Sequence, residues 1–142
     1  MIKKAWAIWK GGFKDGGGTI STETGALNEA PYGFKARFES GGKGTNPEEL
    51  IGAAHAGCFS MALSLMLGEA GLTAETIETH AAVMLEKVGG GFAITSSHLN
   101  VTAKIPGADP TKFAEIADKA KVGCPVSKLL NAKITMDAKL AT

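Results

Sequence analysis

The chain is poor in aromatic residues, at 6%, and has no excess of either charge: 15 basic and 14 acidic residues leave a formal net charge of +1. A near-neutral, mixed surface offers no electrostatic footprint for a polyanion, and so few rings make a poor base-stacking platform. Nucleic acid and anionic membrane are therefore not expected partners. Cysteine is scarce too, with 2 in 142 residues. A chain of this length buries roughly two thirds of its unfolded surface, and a 44% hydrophobic composition supplies a core without a disulfide framework. Met1–Lys10 mixes Lys3, Lys4 and Lys10 with Trp6, Ile8 and Trp9 and lacks the unbroken apolar stretch of an export signal. A cytoplasmic location is the expectation, and with it thiols in redox or catalytic use rather than structural bridging. Two unrelated buried thiols, packed as small hydrophobes, would give the same count.

One segment is long and uncharged. Leu50–Leu67 holds no acid, Lys or Arg and approaches the ~20 residues that span a bilayer. It carries His55, Ser60 and Ser64, is rich in small residues, and lies between Glu48–Glu49 and Glu69 without a basic flank to orient it. A helix buried on all sides in a soluble protein fits better. So short a chain would struggle to wrap such a helix, which points to a dimer whose interface covers it.

The remaining pattern is α+β, one domain over 1–142. Lys3–Lys10, Thr19–Thr24 and Phe34–Phe38 read as short strands, with a Gly-rich loop at Gly11–Gly18 and a turn around Pro31. Asn46, Pro47, Glu48 and Glu49 form a helix start resembling a capping box, and that helix runs to about Glu69. Alternation through Ile77–Leu85 and Ser96–Ile105 about Gly89–Gly91 predicts a long β-hairpin with one buried face. Asp109–Pro110 opens an amphipathic helix with the stripe Phe113, Ile116, Ala117 and Ala120. Cys124–Pro125 starts a short helical turn, and Lys133–Leu140 closes a curved antiparallel sheet.

Cys58 falls inside the long helix, where desolvation would keep a thiol protonated unless a cation lies close by. His55, one turn earlier on the same face, is within reach of it, or instead hydrogen-bonds a neighbour in the core. Cys124 sits at the start of the short helix, where backbone N–H groups favour a thiolate. Two thiols and three scattered histidines show no metal-ligand spacing. Gly41–Thr45 lacks the spacing of a phosphate-binding loop, and no nucleophile elbow or dinucleotide fingerprint is found. Arg37, the single arginine, is either a surface charge or a planar fork for a buried anion. At ~100° and ~1.5 Å per residue, Glu49 lies on the opposite face of the helix from Cys58, ~13 Å away. It is therefore a helix-start carboxylate, a holder for Arg37, or a group reaching across a subunit interface.

Four strings carry a family resemblance: Pro31-Tyr32-Gly33-Phe34, Gly44-Thr45-Asn46-Pro47-Glu48-Glu49-Leu50, His55-Ala56-Gly57-Cys58-Phe59-Ser60-Met61-Ala62 and Gly123-Cys124-Pro125-Val126-Ser127. In order and spacing they resemble the OsmC/Ohr family of organic hydroperoxide reductases, nearer the OsmC (osmotically inducible protein C) branch. The resemblance implies an OsmC-like fold: antiparallel sheets around a long central buried helix, in an intertwined homodimer with active sites at the subunit interface. It further implies Cys58 as the peroxidatic cysteine, Cys124 as the resolving one, Arg37 as the active-site arginine and Glu49 as its partner.

On that reading the Cys58 thiolate cleaves the peroxide O–O bond and becomes a sulfenic acid. Cys124 then forms an intramolecular disulfide, which an external dithiol reopens. An apolar pocket lined by Met61 and Phe59 would favour organic hydroperoxides over hydrogen peroxide. A lipoylated protein is an implied reductant, stress defence the implied role, and no cofactor or metal is required. Two rivals use the same residues: a redox-sensing or small-molecule-binding protein whose cysteine pair does not turn over, and a structural stress protein whose thiols only fill the core.

Overall fold

Glycines between the first two strand-forming runs let the chain turn back on itself. In the computed structural model, which describes residues 1–141, β1 (Ala5–Lys10) and β2 (Gly17–Thr22) pair antiparallel, Trp6 opposite Ser21 and Lys10 opposite Gly17. The turn expected around Pro31 is instead β3 (Ala30–Tyr32), antiparallel to β2 at the sheet edge. Proline is tolerated on an edge, where its missing N–H costs no ladder bond, and the Pro31 carbonyl accepts the Thr45 N–H at 2.8 Å. Gly44 makes that approach possible: its φ is +94°, and a Cβ there would collide with the Pro31 carbonyl.

Phe34–Phe38, expected as a strand, forms the short helix α1 (Phe34–Phe38). The reason is aromatic packing. One helical turn brings the Phe34 and Phe38 rings to 5.0 Å, and both meet Phe13 edge-on at 5.1 and 5.8 Å; an extended backbone would hold the two rings too far apart. α2 (Pro47–Glu69) then begins as expected, with Asn46 Oδ1 accepting the Glu49 N–H at 2.7 Å. It ends in a Schellman motif, in which Gly71 N–H bonds Gly68 O at 3.0 Å and Leu72 N–H bonds Leu67 O at 2.8 Å, with Gly71 at φ +76°.

The chain forms two compact units, Met1–Leu50 and the segment from Ile51 onward; Thr142, the last residue of the expected single domain, lies outside the described residues. In the second unit β4 (Thr76–Val88) and β5 (Gly91–Lys104) make the expected hairpin, with an irregularity at Met84/Leu85. β6 (Lys133–Ala141) corrects the all-antiparallel expectation: it runs parallel to β5, with Ser96 opposite Lys133 and Lys104 opposite Ala141. Between them α3 (Pro110–Gly123) and α4 (Pro125–Leu129) carry the chain back to the start of β5, the crossover a parallel pair requires. The Asp109 carboxylate caps α3, accepting the Lys112 N–H at 3.0 Å.

The core of this unit is the side of α2 carrying Phe59, Leu63 and Leu67, against Leu99, Val101, Ala103 and Ile105 of β5 and the stripe Phe113, Ile116, Ala117 and Ala120 of α3. The other side of α2 is open, with Met61 77% and Leu65 65% exposed. The expected burial on all sides is therefore not met within one chain. By length and composition alone α2 is apolar enough to cross a membrane.

Candidate active site

Helix phase puts Cys58 on the flank of α2 beside fully buried Phe59, while the α3–α4 junction holds Cys124. The junction backbone is pinned on both sides: Cys124 N–H bonds Ala120 O at 2.9 Å, and Lys128 N–H bonds Cys124 O at 3.1 Å. The two thiols, 66 residues apart in sequence, share a hydrogen bond at 2.9 Å. Both are free, Cys58 half-buried and Cys124 completely buried. A disulfide needs the sulfurs about 0.9 Å closer, at ~2.05 Å.

The electrostatics of the pair are unequal. Burial pushes the Cys58 thiol above its ordinary pKa, and the neighbouring Cys124 adds to the rise, only partly offset by the Val126 backbone N–H. Burial acts to raise Cys124 as well. There, hydrogen bonds from Cys58, from the backbone N–H and hydroxyl of Ser127 and from the Val126 N–H outweigh it and leave the thiol below its ordinary value.

His55 does not serve Cys58 as a base. It is fully buried, its Nδ1 2.7 Å from Ser97 Oγ and its Nε2 2.7 Å from Ser127 Oγ, and burial lowers its pKa. Phe59, expected to line a substrate pocket, belongs wholly to the core. Met61 is exposed.

In the first unit Arg37 is a planar fork, as its uniqueness suggested, but its partner is Glu48 and not the expected Glu49. Arg37 Nε donates to Glu48 Oε1 at 3.0 Å and Nη2 to Oε2 at 3.1 Å, a bidentate charge-assisted pair with Glu48 nearly buried. Glu49 is turned elsewhere by helix phase: its Oε2 accepts the Thr45 hydroxyl at 2.8 Å, so its carboxylate is spent on the helix start. Beside the pair, Trp9, Phe13, Tyr32, Phe34, Arg37 and Phe38 line a cleft of about 290 Å³.

Three residues went unnamed as site candidates in the sequence reading. Glu48 stands next to Glu49 and only helix phase separates them. Ser97 shares the parity of Leu99, Val101 and Ala103 on β5, and a serine on a buried face signals a polar partner. Ser127 ends the fourth family string without a role of its own.

Comparison with known proteins agrees with the fold. Residues 40–139 match the family described as OsmC-like protein. The chain is 61% identical to "Peroxiredoxin OsmC" of Escherichia coli (strain K12) over 97% of its own length and 96% of the relative. It is 30% identical to the "Organic hydroperoxide resistance protein" of Xanthomonas axonopodis pv. citri (strain 306), covering 72% and 70% of the two chains. The solved structure of an OsmC-like protein of Vibrio cholerae O1 superposes with a TM-score of 0.78 over 97% of this chain and 99% of that one, at 14% identity.

Proposed function

The chain belongs to the OsmC family, and from that premise we propose that it is a cysteine-based peroxidase that reduces organic hydroperoxides, and less efficiently hydrogen peroxide, through Cys58 and Cys124. The observation that carries the assignment of roles is the contact of a half-buried Cys58 with a fully buried Cys124 at 2.9 Å. A peroxide can reach the first sulfur, and only the first sulfur can reach the second.

The local environment raises the Cys58 pKa, so the attacking thiolate requires added positive charge. Arg37, held in its fork by Glu48, supplies that charge at the subunit interface of a homodimer. Its Nε and Nη2 are engaged with the carboxylate, which leaves Nη1 for a peroxide oxygen. The Cys58 thiolate attacks the terminal oxygen of the hydroperoxide. The O–O bond breaks, an alkoxide leaves and is protonated to the alcohol, and Cys58 becomes a sulfenic acid. The Cys124 thiolate attacks that sulfur, the S–O bond breaks, and hydroxide departs as the disulfide forms. An external dithiol, such as that of a lipoylated protein in the cytoplasm, restores both thiols by exchange.

The aromatic cleft beside Arg37 supports an organic rather than an inorganic peroxide as preferred substrate, because an alkyl or aryl group gains by leaving water there. A second copy of the chain is the proposed cover for Met61 and Leu65 on α2 and for Trp6 and Ile8 on β1, all exposed. The two units then act as one OsmC-like domain in each subunit.

The test is cumene hydroperoxide consumption with excess dihydrolipoamide. Wild type turns over many times, Cys58→Ser does not react, and Cys124→Ser stops after one equivalent with a trapped sulfenic acid. Wild-type protein that stops after one equivalent with every dithiol tried sinks the catalytic reading and leaves the redox sensor.

A further inference from the structure

His55 has no part in the chemistry described above, yet both of its ring nitrogens are committed inside the core. It bridges Ser97 on β5 and Ser127 on α4, each at 2.7 Å, and Ser127 lies one helical turn beyond Cys124, the residue that opens α4, where its side chain helps to hold the Cys124 thiol below its ordinary pKa. Side chains from α2, β5 and α4 thus form one line that ends beside the resolving thiol. Ser97, His55 and Cys124 have no exposed surface. Bulk water cannot supply hydrogen bonds to a sulfur so placed, and a buried anion without donors is costly.

Counting hydrogens gives the line a direction. Burial lowers the His55 pKa, so the imidazole is neutral, with one N–H, and each serine has one O–H. A Cys124 thiolate can only accept, so Ser127 gives it its hydrogen. The Ser127 oxygen then accepts from His55, which requires the Nε2–H tautomer, and His55 Nδ1 accepts from Ser97. Every hydrogen in the line points toward the sulfur. Without Ser97 or His55 the Ser127 hydroxyl is free to rotate away.

We propose that His55, acting through Ser127, is a positioning residue for the resolving step, holding the Ser127 hydroxyl with its hydrogen on Cys124 while that sulfur attacks the oxidised Cys58. The proposal deepens the peroxidase reading and rests on Cys124 being the resolving thiol. In the step concerned, the Cys124 lone pair forms the S–S bond, the S–O bond of the Cys58 sulfenic acid breaks, and hydroxide departs into solvent at the half-open Cys58 side. Cys124 enters as a thiolate, and the hydrogen bond from Ser127 keeps it one until the bond forms.

The experiment is a single turnover. Reduced protein is mixed with one equivalent of cumene hydroperoxide, quenched in acid at set times, and its sulfenic-acid and disulfide forms are separated by intact mass. Ser127→Ala and His55→Leu are expected to form the sulfenic acid at the wild-type rate but to close the disulfide about ten- to a hundredfold more slowly, the loss of one hydrogen bond to an anion. His55→Gln, whose side-chain N–H still reaches Ser127, is expected to close it within roughly twofold of wild type. Thermal melts verify that each variant is folded. Ser127 is partly exposed, so Ser127→Ala tests the idea even if His55→Leu unfolds. Disulfide closure at the wild-type rate in Ser127→Ala overturns the positioning role, as does a His55→Gln protein as slow as Ser127→Ala. A Cys124→Ser protein that turns over normally would instead overturn the resolving assignment on which the role depends.

Discussion

Adjacent carboxylates at the start of α2 offer a sharp test of how the arginine is held. Glu48→Gln leaves one neutral acceptor where two charge-assisted bonds of 3.0 and 3.1 Å stood. Because the Arg37 side chain is 37% exposed, the loss is discounted for solvent and comes to about 1–2 kcal/mol of positioning energy. If the guanidinium acts on the reacting peroxide, that converts to a roughly five- to thirtyfold fall in kcat/KM. Glu49→Gln removes a carboxylate one residue away and keeps an acceptor for the Thr45 hydroxyl; its own N–H bond to Asn46 is untouched. Both substitutions delete one negative charge from the first turn of the same helix, a dipole term of about 0.3–1 kcal/mol in each. That term cancels in the comparison, so the difference between the variants isolates the arginine fork. The assay is steady-state cumene hydroperoxide reduction with dihydrolipoamide, with thermal melts alongside. A Glu49→Gln enzyme that loses as much activity as Glu48→Gln, or more, refutes the assignment of the fork to Glu48.

Phe59→Ala is expected to cost about 3–5 kcal/mol in denaturant unfolding, the usual loss for emptying a core aromatic site, because Phe59 is fully buried; a cost under about 1.5 kcal/mol would return it to the surface. Met61→Glu, on the open side of α2, is expected to turn dimers into monomers by light scattering, and an unchanged mass would place the dimer contact elsewhere. His55 contributes to stability with a definite sign. Its folded pKa is lowered, so its contribution is present above the unfolded value of ~6.5 and is lost as the pH falls through the folded one. Wild type should therefore lose stability between pH 7.5 and the acid side (unfolding midpoints in urea), and His55→Gln should lose less; equal slopes in the two proteins contradict a neutral buried imidazole.

The elements from α2 onward are the more legible part of the fold. α2, the β4–β5 hairpin and α3 announce themselves by caps, alternation and a helical stripe, and Asp109, Asn46 and Gly71 do what their positions suggest. Two misreadings share a physical cause. Phe34–Phe38 has strand-like composition, but its conformation is settled by Phe13, a residue outside the window. β6 was legible as a strand, whereas its direction depends on where α3 and α4 deliver the chain, which no local pattern records. The site divides in the same way. Cys58, Cys124 and Arg37 were named from sequence, while the choice between Glu48 and Glu49 lies in a single residue's helical rotation. The buried role of His55 is not legible in the sequence, since its partners on β5 and α4 are far away along the chain.

The unequal thiols assign the two half-reactions to different parts of the molecule. Peroxide cleavage needs the negative charge on Cys58, yet burial and the adjacent Cys124 work against it there; on the proposed mechanism the Arg37–Glu48 fork offsets them. Once Cys58 is a neutral sulfenic acid that demand disappears. The charge is then needed on Cys124, which has lost the Cys58 thiol as a hydrogen-bond partner and keeps Ser127 and Val126 to lower its pKa. On that mechanism resolution draws on Ser127 and Val126, and oxidation on Arg37. Substitutions at Arg37 or Glu48 should slow sulfenic acid formation and leave disulfide closure alone; those at His55 or Ser127 should do the reverse. A variant of either pair that slowed both steps equally would mean that one shared charge, rather than two separate arrangements, governs the thiols.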